Sequence, residues 1–224
     1  MKGVKSDIPD LPPRMRRLDV DARGYPIPYF VAWLDASGVP TKRGEGTPDF
    51  RLVNPGTVAK CHIDGLCWVC GEALGSHKAF VIGPINALSR LCSEPPSHLD
   101  CADFSARACP FLIHPREKRR DNRMPELWHK PPGETIECST RLAVVWTVKR
   151  YRLVQVNGRS VFDIGTPEHV RWYTEGRLAT RTEVLASIDS GLPALYESAK
   201  PRGQVGADEV RRRYEACTPL LPAS

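Results

Sequence analysis

Two cysteines close together in the sequence form the first half of a candidate metal site. They stand in the run Leu66-Cys67-Trp68-Val69-Cys70-Gly71, where two residues separate the thiols and a glycine follows. This spacing is typical of a zinc knuckle, a tight turn that points both sulfur atoms in the same direction. The glycine lets the chain turn back with its amides near sulfur. The motif therefore predicts two thiolate ligands, Cys67 and Cys70.

A second pair of ligand-type residues, His98 and Cys101, lies well downstream. Ser97 is a predicted N-cap, so both ligands would share one face of the first helical turn. At that end of a helix the macrodipole favours a thiolate. Together with Cys67 and Cys70, the pair predicts one structural Zn²⁺ ion with four protein ligands and no open position for water.

The segment between the two pairs predicts a β-hairpin, since residues 79–82 and 85–88 are apolar and flank Gly83-Pro84. A knuckle, a hairpin and a ligand-bearing helix in this order resemble a treble-clef zinc finger over residues 66–112. The resemblance implies that the first pair occupies the knuckle positions and the second pair the helix positions. Cys92 stays open as a substitute for one of the named ligands.

One catalytic family is built on the treble clef, the HNH (His-Me finger) nucleases, and it provides an alternative function. By this resemblance His77 would activate water and Asn86 would support a divalent metal at the scissile phosphate. The sequence departs from the family, because Ser76 and Lys78 flank the histidine and no histidine directly follows Cys101. The main interpretation is therefore non-enzymatic.

The composition is that of an ordinary globular protein, with 224 residues, 41% hydrophobic and 26% charged. No apolar run reaches the ~18 residues that a membrane span needs, and the N-terminal residues lack the apolar region of a signal peptide. We therefore expect a cytoplasmic protein without a membrane partner. In that compartment the eight cysteines favour metal ligands or buried side chains over disulfides. No small-molecule substrate is evident from the motifs.

The net charge of +6 permits a polyanionic partner but does not require one. The densest basic run covers residues 116–123, and its basic side chains are those of Arg116, Lys118, Arg119, Arg120 and Arg123. Such a run is either a solvated linker or a nucleic-acid contact. The N-terminal arginines and residues 211–213 are further candidates for phosphate contacts. Basic residues that converge on one face would favour nucleic acid, and dispersed ones would favour a protein partner.

The chain as a whole predicts an α+β fold, with a central treble-clef zinc finger flanked by two β-hairpin-plus-helix units. Its predicted parts are a Pro/Arg-rich arm at residues 1–22, a β-hairpin plus helix at 23–65, the finger at 66–113, a basic Pro-bearing linker at 114–135, and a β-meander with C-terminal helices at 136–224. In each flanking unit a tryptophan-bearing strand precedes a proline-started helix, at Pro55 and at Pro167. An internal duplication is therefore left open.

Two further helix signals lie in the C-terminal part. Thr180 and Glu183 form a predicted capping box, and Gly191 would end the helix that they begin.

The whole chain also resembles small proteins of phages and their bacterial hosts, through residues 66–71, 93–98, 175–177 and 180–185. That resemblance implies a mobile-element context and no activity. The sequence thus predicts a zinc-stabilised binding protein that contacts nucleic acid or a host protein, with a divergent nuclease as the alternative.

Overall fold

The computed structural model describes residues 4–113, 142–156 and 158–223. The predicted linker at 114–135, with its basic residues Arg116, Lys118, Arg119, Arg120 and Arg123, lies outside these described residues. Within them the chain forms three antiparallel sheets joined by helices, which confirms the mixed α and β fold class.

The first sheet lies on the N-terminal side and has the strand order β2-β1-β3. Its strands are β1 (Val31–Leu34), β2 (Pro40–Thr41) and β3 (Thr47–Val53), and helix α1 (Thr57–Ile63) follows. A small core of Ile27, Val31 and Trp33 fills this unit. The hairpin and helix agree with the prediction, but the helix begins two residues after Pro55. Gly56, with φ of 77°, takes the left-handed conformation and breaks the helical run before Thr57.

The second sheet is the centre of the molecule and has the strand order β10-β9-β6-β4. Its strands are β4 (Lys78–Ile82), β6 (Leu142–Val148), β9 (His169–Thr174) and β10 (Arg177–Leu178). Strand β6 is buried along its whole length, as its apolar sequence requires. Trp146 faces the main core, whereas Val145 faces the opposite side of the sheet, because successive strand side chains alternate.

The main core lies between this sheet and the C-terminal helices. It is covered by α2 (Pro84–Ser89), α5 (Arg181–Ala199) and α6 (Gly203–Cys217), and by a third sheet of β5 (Leu91–Cys92), β8 (Arg159–Asp163) and β7 (Arg152–Val156). Trp146, Phe80 and Ile188 are almost fully buried at its centre. This layer of helices therefore shields one face of the central sheet from solvent.

The opposite face of the central sheet carries α3 (Leu99–Ala108), which is followed by α4 (Pro110–Ile113). Ala102 and Ala106 of α3 pack against Ala79 of β4 and Ala143 of β6. Small side chains on both surfaces let the helix approach the sheet closely. An Asp103 carboxylate also accepts a 3.0 Å hydrogen bond from the Tyr173 hydroxyl on β9. The helix is thus fastened to the sheet by packing and by a polar contact.

The hairpin predicted at residues 79–88 is wrong. Residues 78–82 form β4, which pairs with β6 from far along the chain, and α2 begins directly afterwards with Pro84 at its first turn. Proline at the first helical position loses no intrahelical hydrogen bond, so the Gly83-Pro84 pair starts a helix here instead of a turn. The finger consequently lacks the local hairpin of a treble clef.

The helix predicted after Pro167 is also wrong, because residues 169–174 form β9 beside β6. Trp172 on β9 is buried in the main core, which outweighs the local capping signal. The hairpin of β7 and β8 is therefore followed by strands, and the next helix begins only at Arg181. The two flanking units do not repeat one another in this respect.

The capping box of Thr180 and Glu183 is confirmed at the start of α5. Gly191 does not end this helix, which continues to Ala199. A Cβ atom at Gly191 would lie 2.4 Å from the Ile85 Cδ1 atom, so the glycine serves close packing against α2.

Among the helices that the structure describes, none has the length and apolar character needed to cross a bilayer. The cytoplasmic location stays a prediction.

We predict that Gly176→Ala destabilises the protein more than Gly158→Ala. Both glycines have positive φ, of 79° and 73°, so either alanine is strained by about 1 kcal/mol. A Cβ atom at Gly176 would also lie 2.9 Å from the Arg107 carbonyl oxygen, whereas nothing lies within 4 Å at Gly158. Urea unfolding should show that the free energy of unfolding of Gly176→Ala is lower than that of Gly158→Ala by at least about 1 kcal/mol. Equal losses would contradict the close approach of the β9–β10 turn to α3.

Candidate metal centre

The knuckle forms a closed turn held by its own backbone. Leu66 and Ala73 form an isolated antiparallel bridge. Inside it the Cys67 amide donates to the Glu72 carbonyl at 2.7 Å, and the Gly71 amide donates to the Cys67 carbonyl at 2.9 Å. Gly71 has φ of 76°, so the predicted reason for a glycine here is confirmed. The turn directs the two cysteine side chains to the same side.

The turn that leads into β1 of the first sheet holds this knuckle from outside. The Tyr29 amide donates to the Val69 carbonyl at 2.7 Å. The Tyr29 ring lies so close to Gly71 that a Cβ atom there would be 2.7 Å from the ring. Next along the chain, the Phe30 ring stacks on Trp68 with centroids 4.8 Å apart. Gly71 is therefore required for its conformation and for the space that it leaves to Tyr29.

The second ligand pair lies at the N-terminus of α3, one residue out of phase with the predicted cap. His98 is the N-cap residue, in extended conformation, and Cys101 lies in the first turn. Ser97 does not cap the helix, since its backbone pairs with Ala79 of β4 through hydrogen bonds of 2.7 and 2.8 Å. This bridge fixes the entry of α3 against the sheet.

The structure brings all four sequence-predicted ligands together. The ligand atoms of Cys67, Cys70, His98 and Cys101 all lie within 4.8 Å of one another, and all four residues are buried. The Cys70 Sγ atom lies 3.4 Å from the His98 Nδ1 atom. A tetrahedral zinc site with ordinary bond lengths would separate such a sulfur and nitrogen by about 3.6 Å. The donor set and its spacing therefore fit one metal ion.

The orientation of the His98 ring supports the same conclusion. Its Nε2 atom lies 3.0 Å from the Ala73 carbonyl oxygen. A carbonyl only accepts, so Nε2 carries the proton and Nδ1 presents its lone pair to the three sulfur atoms. Metal-bound histidines usually donate their second ring N–H in this way, which fixes the tautomer and the ring plane. The same knuckle thus supplies two ligands and orients a third.

The three thiols of the centre have very different proton affinities. Hydrogen bonds from the Cys101 and Cys70 thiols, together with the Cys70 and His98 amides, hold the pKa of Cys67 far below its ordinary value. Hydrogen bonding to Cys67 and Cys70 raises the pKa of Cys101 well above its ordinary range. Cys101 lowers the pKa of Cys70, but Cys67 and burial outweigh it and raise that pKa to about 11. Without a cation these shifts favour the thiolate at Cys67 and the protonated thiol at Cys70 and Cys101.

The other described cysteines lie outside the centre, and none of the described cysteines forms a disulfide. Cys92 belongs to the main core, and its thiol donates to the Glu94 carbonyl at 3.3 Å. Burial raises the pKa of Cys92 to about 12. Burial likewise raises the pKa of Cys61 to about 12. Cys92 is therefore no substitute for a ligand, and the choice of Cys67, Cys70, His98 and Cys101 is the one that the geometry favours.

The structure does not unite the candidate nuclease residues His77 and Asn86. The exposed His77 ring lies 3.3 Å from a Glu168 carboxylate oxygen. The Asn86 amide donates to the Leu91 carbonyl at 2.8 Å and so holds the end of α2. Both side chains therefore have local partners, and no observation favours the nuclease alternative.

Sequence reasoning missed the contribution of the N-terminal arm to this site. Met15 is 1% exposed and packs with the cysteines of the centre. Arg14 and Arg17 form ion pairs beside the two ligand pairs. No sequence motif predicted these contacts, because they join segments that are far apart in the sequence. The prolines and arginines of the arm were the only visible signal.

Comparisons of the chain with protein-family models, with curated proteins and with solved structures found no match. Neither the treble-clef resemblance nor the resemblance to phage and bacterial proteins has support from them. The geometry of the four ligands therefore carries the functional argument.

We predict that Cys101→Ser removes the bound metal and destabilises the protein by about 4 kcal/mol or more, since loss of a structural metal is among the largest single-residue effects. The matched control is Cys92→Ser, another buried thiol, which should keep one metal per chain and lose only about 1 kcal/mol. Elemental analysis of the purified proteins and urea unfolding would measure both quantities. A Cys101→Ser protein with unchanged stability would contradict the metal centre.

We also predict that metal binding at pH 7 releases about two protons. Cys70 and Cys101 have raised pKa values and must lose their protons, whereas Cys67 is already ionised. Affinity should consequently rise with pH. Calorimetry in buffers of different ionisation enthalpy counts the protons. Release of about three would contradict an ionised Cys67 in the metal-free centre, since ordinary thiols are mostly protonated at pH 7.

Proposed function

We propose that this protein is a zinc-stabilised binding protein, in which one Zn²⁺ ion is held by Cys67, Cys70, His98 and Cys101. The four converging, buried ligand atoms are the observation that supports it. Three thiolates and one imidazole form a donor set that zinc takes in structural sites. All four positions of the tetrahedron are filled by the protein, so the ion has no place for a substrate or a reactive water.

The proposed role of the ion is to join parts of the chain that are distant in sequence. The knuckle carries the first sheet, through Tyr29 and Phe30, and α3 carries the central sheet. An ion between them ties these units to each other. The binding free energy of such a site is largely free energy of folding.

Most described arginines pair with carboxylates of the same chain. They are Arg14, Arg17, Arg23, Arg43, Arg51, Arg152, Arg171, Arg177, Arg202, Arg211 and Arg213. Two of the three arginines at 211–213 are among them. Paired side chains of this kind are poor phosphate contacts, because the carboxylate repels the phosphate.

We assign the nucleic-acid contact to the basic run at residues 116–123, which lies outside the described residues. The run contains five basic residues and only two acidic ones. Neutralising phosphates with such side chains adds affinity that falls with salt. A protein partner is the second candidate, since arginines that already pair with carboxylates of the same chain are less suited to phosphate contacts.

The test is the affinity of the full-length protein for a fluorescein-labelled single strand and duplex, measured by anisotropy at several salt concentrations. We predict that Arg119→Ala, Arg120→Ala and Arg123→Ala together weaken binding about tenfold and reduce the salt slope by about two. The control combines Arg152→Ala, Arg177→Ala and Arg202→Ala, three paired arginines, and should bind nearly as the wild type does.

Absence of binding by the wild type would favour the protein partner instead. Equal loss in the control would show that net charge, and not the basic run, drives the affinity. Nicking of plasmid DNA with Mg²⁺ that His77→Ala abolishes would overturn the non-enzymatic proposal.

A further inference from the structure

The N-terminal arm covers the metal centre with one buried side chain. Met15 ends a short 3-10 turn at Pro13–Met15 and is 1% exposed. It belongs to one apolar cluster with Cys67, Cys70 and Cys101 of the centre. The partly buried side chains that pack around this cluster are Ile8, Leu11, Leu18 and Leu74. The arm therefore helps to separate the sulfur ligands from solvent.

Two arginines beside Met15 reach both halves of the centre. The Arg14 guanidinium donates to the Asp100 carboxylate at 3.0 Å and lies 3.4 Å from the Glu72 carboxylate. Arg17 also pairs with Glu72. Asp100 lies between the two ligands of α3, and Glu72 follows the knuckle. Arg14 thus bridges the two segments that provide the ligands.

The charges also suit a loaded centre. Three thiolates, one neutral imidazole and a divalent cation leave a net charge of about −1, and two carboxylates lie beside them. Guanidinium groups at this position stabilise the negative charge without entering the ligand set. The raised pKa of Arg14, caused mainly by Asp100, has the same origin.

The arm is attached to the centre by side chains alone. In the described part of the chain, the backbone hydrogen bonds of residues 4–18 stay within residues 4–24, such as the one that the Lys5 amide donates to the Gly24 carbonyl. Among these described residues, the backbone is bonded to the knuckle at Tyr29, whose amide donates to the Val69 carbonyl. A segment held by a few side chains can open while the rest of the protein stays folded.

We propose that residues 8–18, here named the strap, open as a unit from the folded protein and thereby set the rate at which the metal centre exchanges its ion. The inference rests on the proposed zinc site. In the closed strap Met15 blocks the approach of a chelator or a competing thiol to the sulfur ligands. Opening removes Met15 and both arginines together, and leaves the acidic pair Glu72 and Asp100 beside an accessible ion.

The experiment measures zinc transfer from the full-length holoprotein to an excess of a chromogenic chelator. Arg14→Ala should transfer zinc about three to five times faster than wild type, because the lost ion pairs are partly exposed. The matched control Arg16→Ala, two residues away, should change the rate less than about twofold, since its guanidinium donates to the Leu11 carbonyl within the strap itself.

Substitution of the buried side chain gives a second comparison. Met15→Ala should accelerate transfer by about tenfold or more, and Met15→Leu, which keeps the apolar volume, should stay near wild type. Amide hydrogen exchange of residues 8–18 should rise in Arg14→Ala and Met15→Ala, with no change in α5.

Three results separate the possible failures. Purified wild-type protein without zinc would overturn the proposed site and the strap together. A zinc-loaded protein whose Arg14→Ala and Met15→Ala variants transfer zinc at the wild-type rate would overturn the strap alone. The rate constant of global unfolding is measured by tryptophan fluorescence. Zinc transfer at that same rate constant would also overturn the strap.

Discussion

Helix α3 lies between the central sheet and the metal centre, and this double contact is the constraint on which the rest of the structure depends. Ala102 and Ala106 pack on the sheet, whereas Cys101 and Phe104 belong to the cluster around the centre. The two sets lie on different faces of a ten-residue helix, as its 3.6-residue period requires. The sheet therefore determines where the second pair of ligands stands.

The knuckle side of the centre has a corresponding support. Tyr29 and Phe30 directly precede β1 of the first sheet and contact the turn from Trp68 to Gly71. His98 is oriented by the Ala73 carbonyl of that turn. Each half of the ligand set is thus built on its own sheet, and a metal ion would connect the two. This arrangement explains why a closed site lies in the middle of the chain.

A closed site of this kind favours a structural role and directs the search for function to the surface. Most described arginines pair with carboxylates of the same chain, so part of the positive charge of the described surface is offset locally. The same kind of pairing occurs beside the metal centre. There Arg14 of the strap pairs with Asp100, and Arg17 pairs with Glu72. In the proposed function, the basic run at residues 116–123 contacts nucleic acid, and the metal ion stabilises the fold.

The sequence by itself determined the features that depend on near neighbours. The ligand spacings, the capping box at Thr180 and the tryptophan-bearing strand that forms β6 all followed from local patterns, because turns, caps and apolar runs are short-range. Gly71 was also recognised from its place in the knuckle. All four ligands of the candidate site could be named in this way.

Only the tertiary structure decided which distant segments meet. Residues 78–82 and 169–174 pair with the two edges of β6, because a fully buried strand needs hydrogen-bond partners on both edges. This pairing outweighed the local sequence signals at Pro84 and Pro167. Gly191 stayed inside a helix because α2 lies against it. Met15 covers the centre for the same reason: burial depends on contacts between parts of the chain that sequence spacing does not relate.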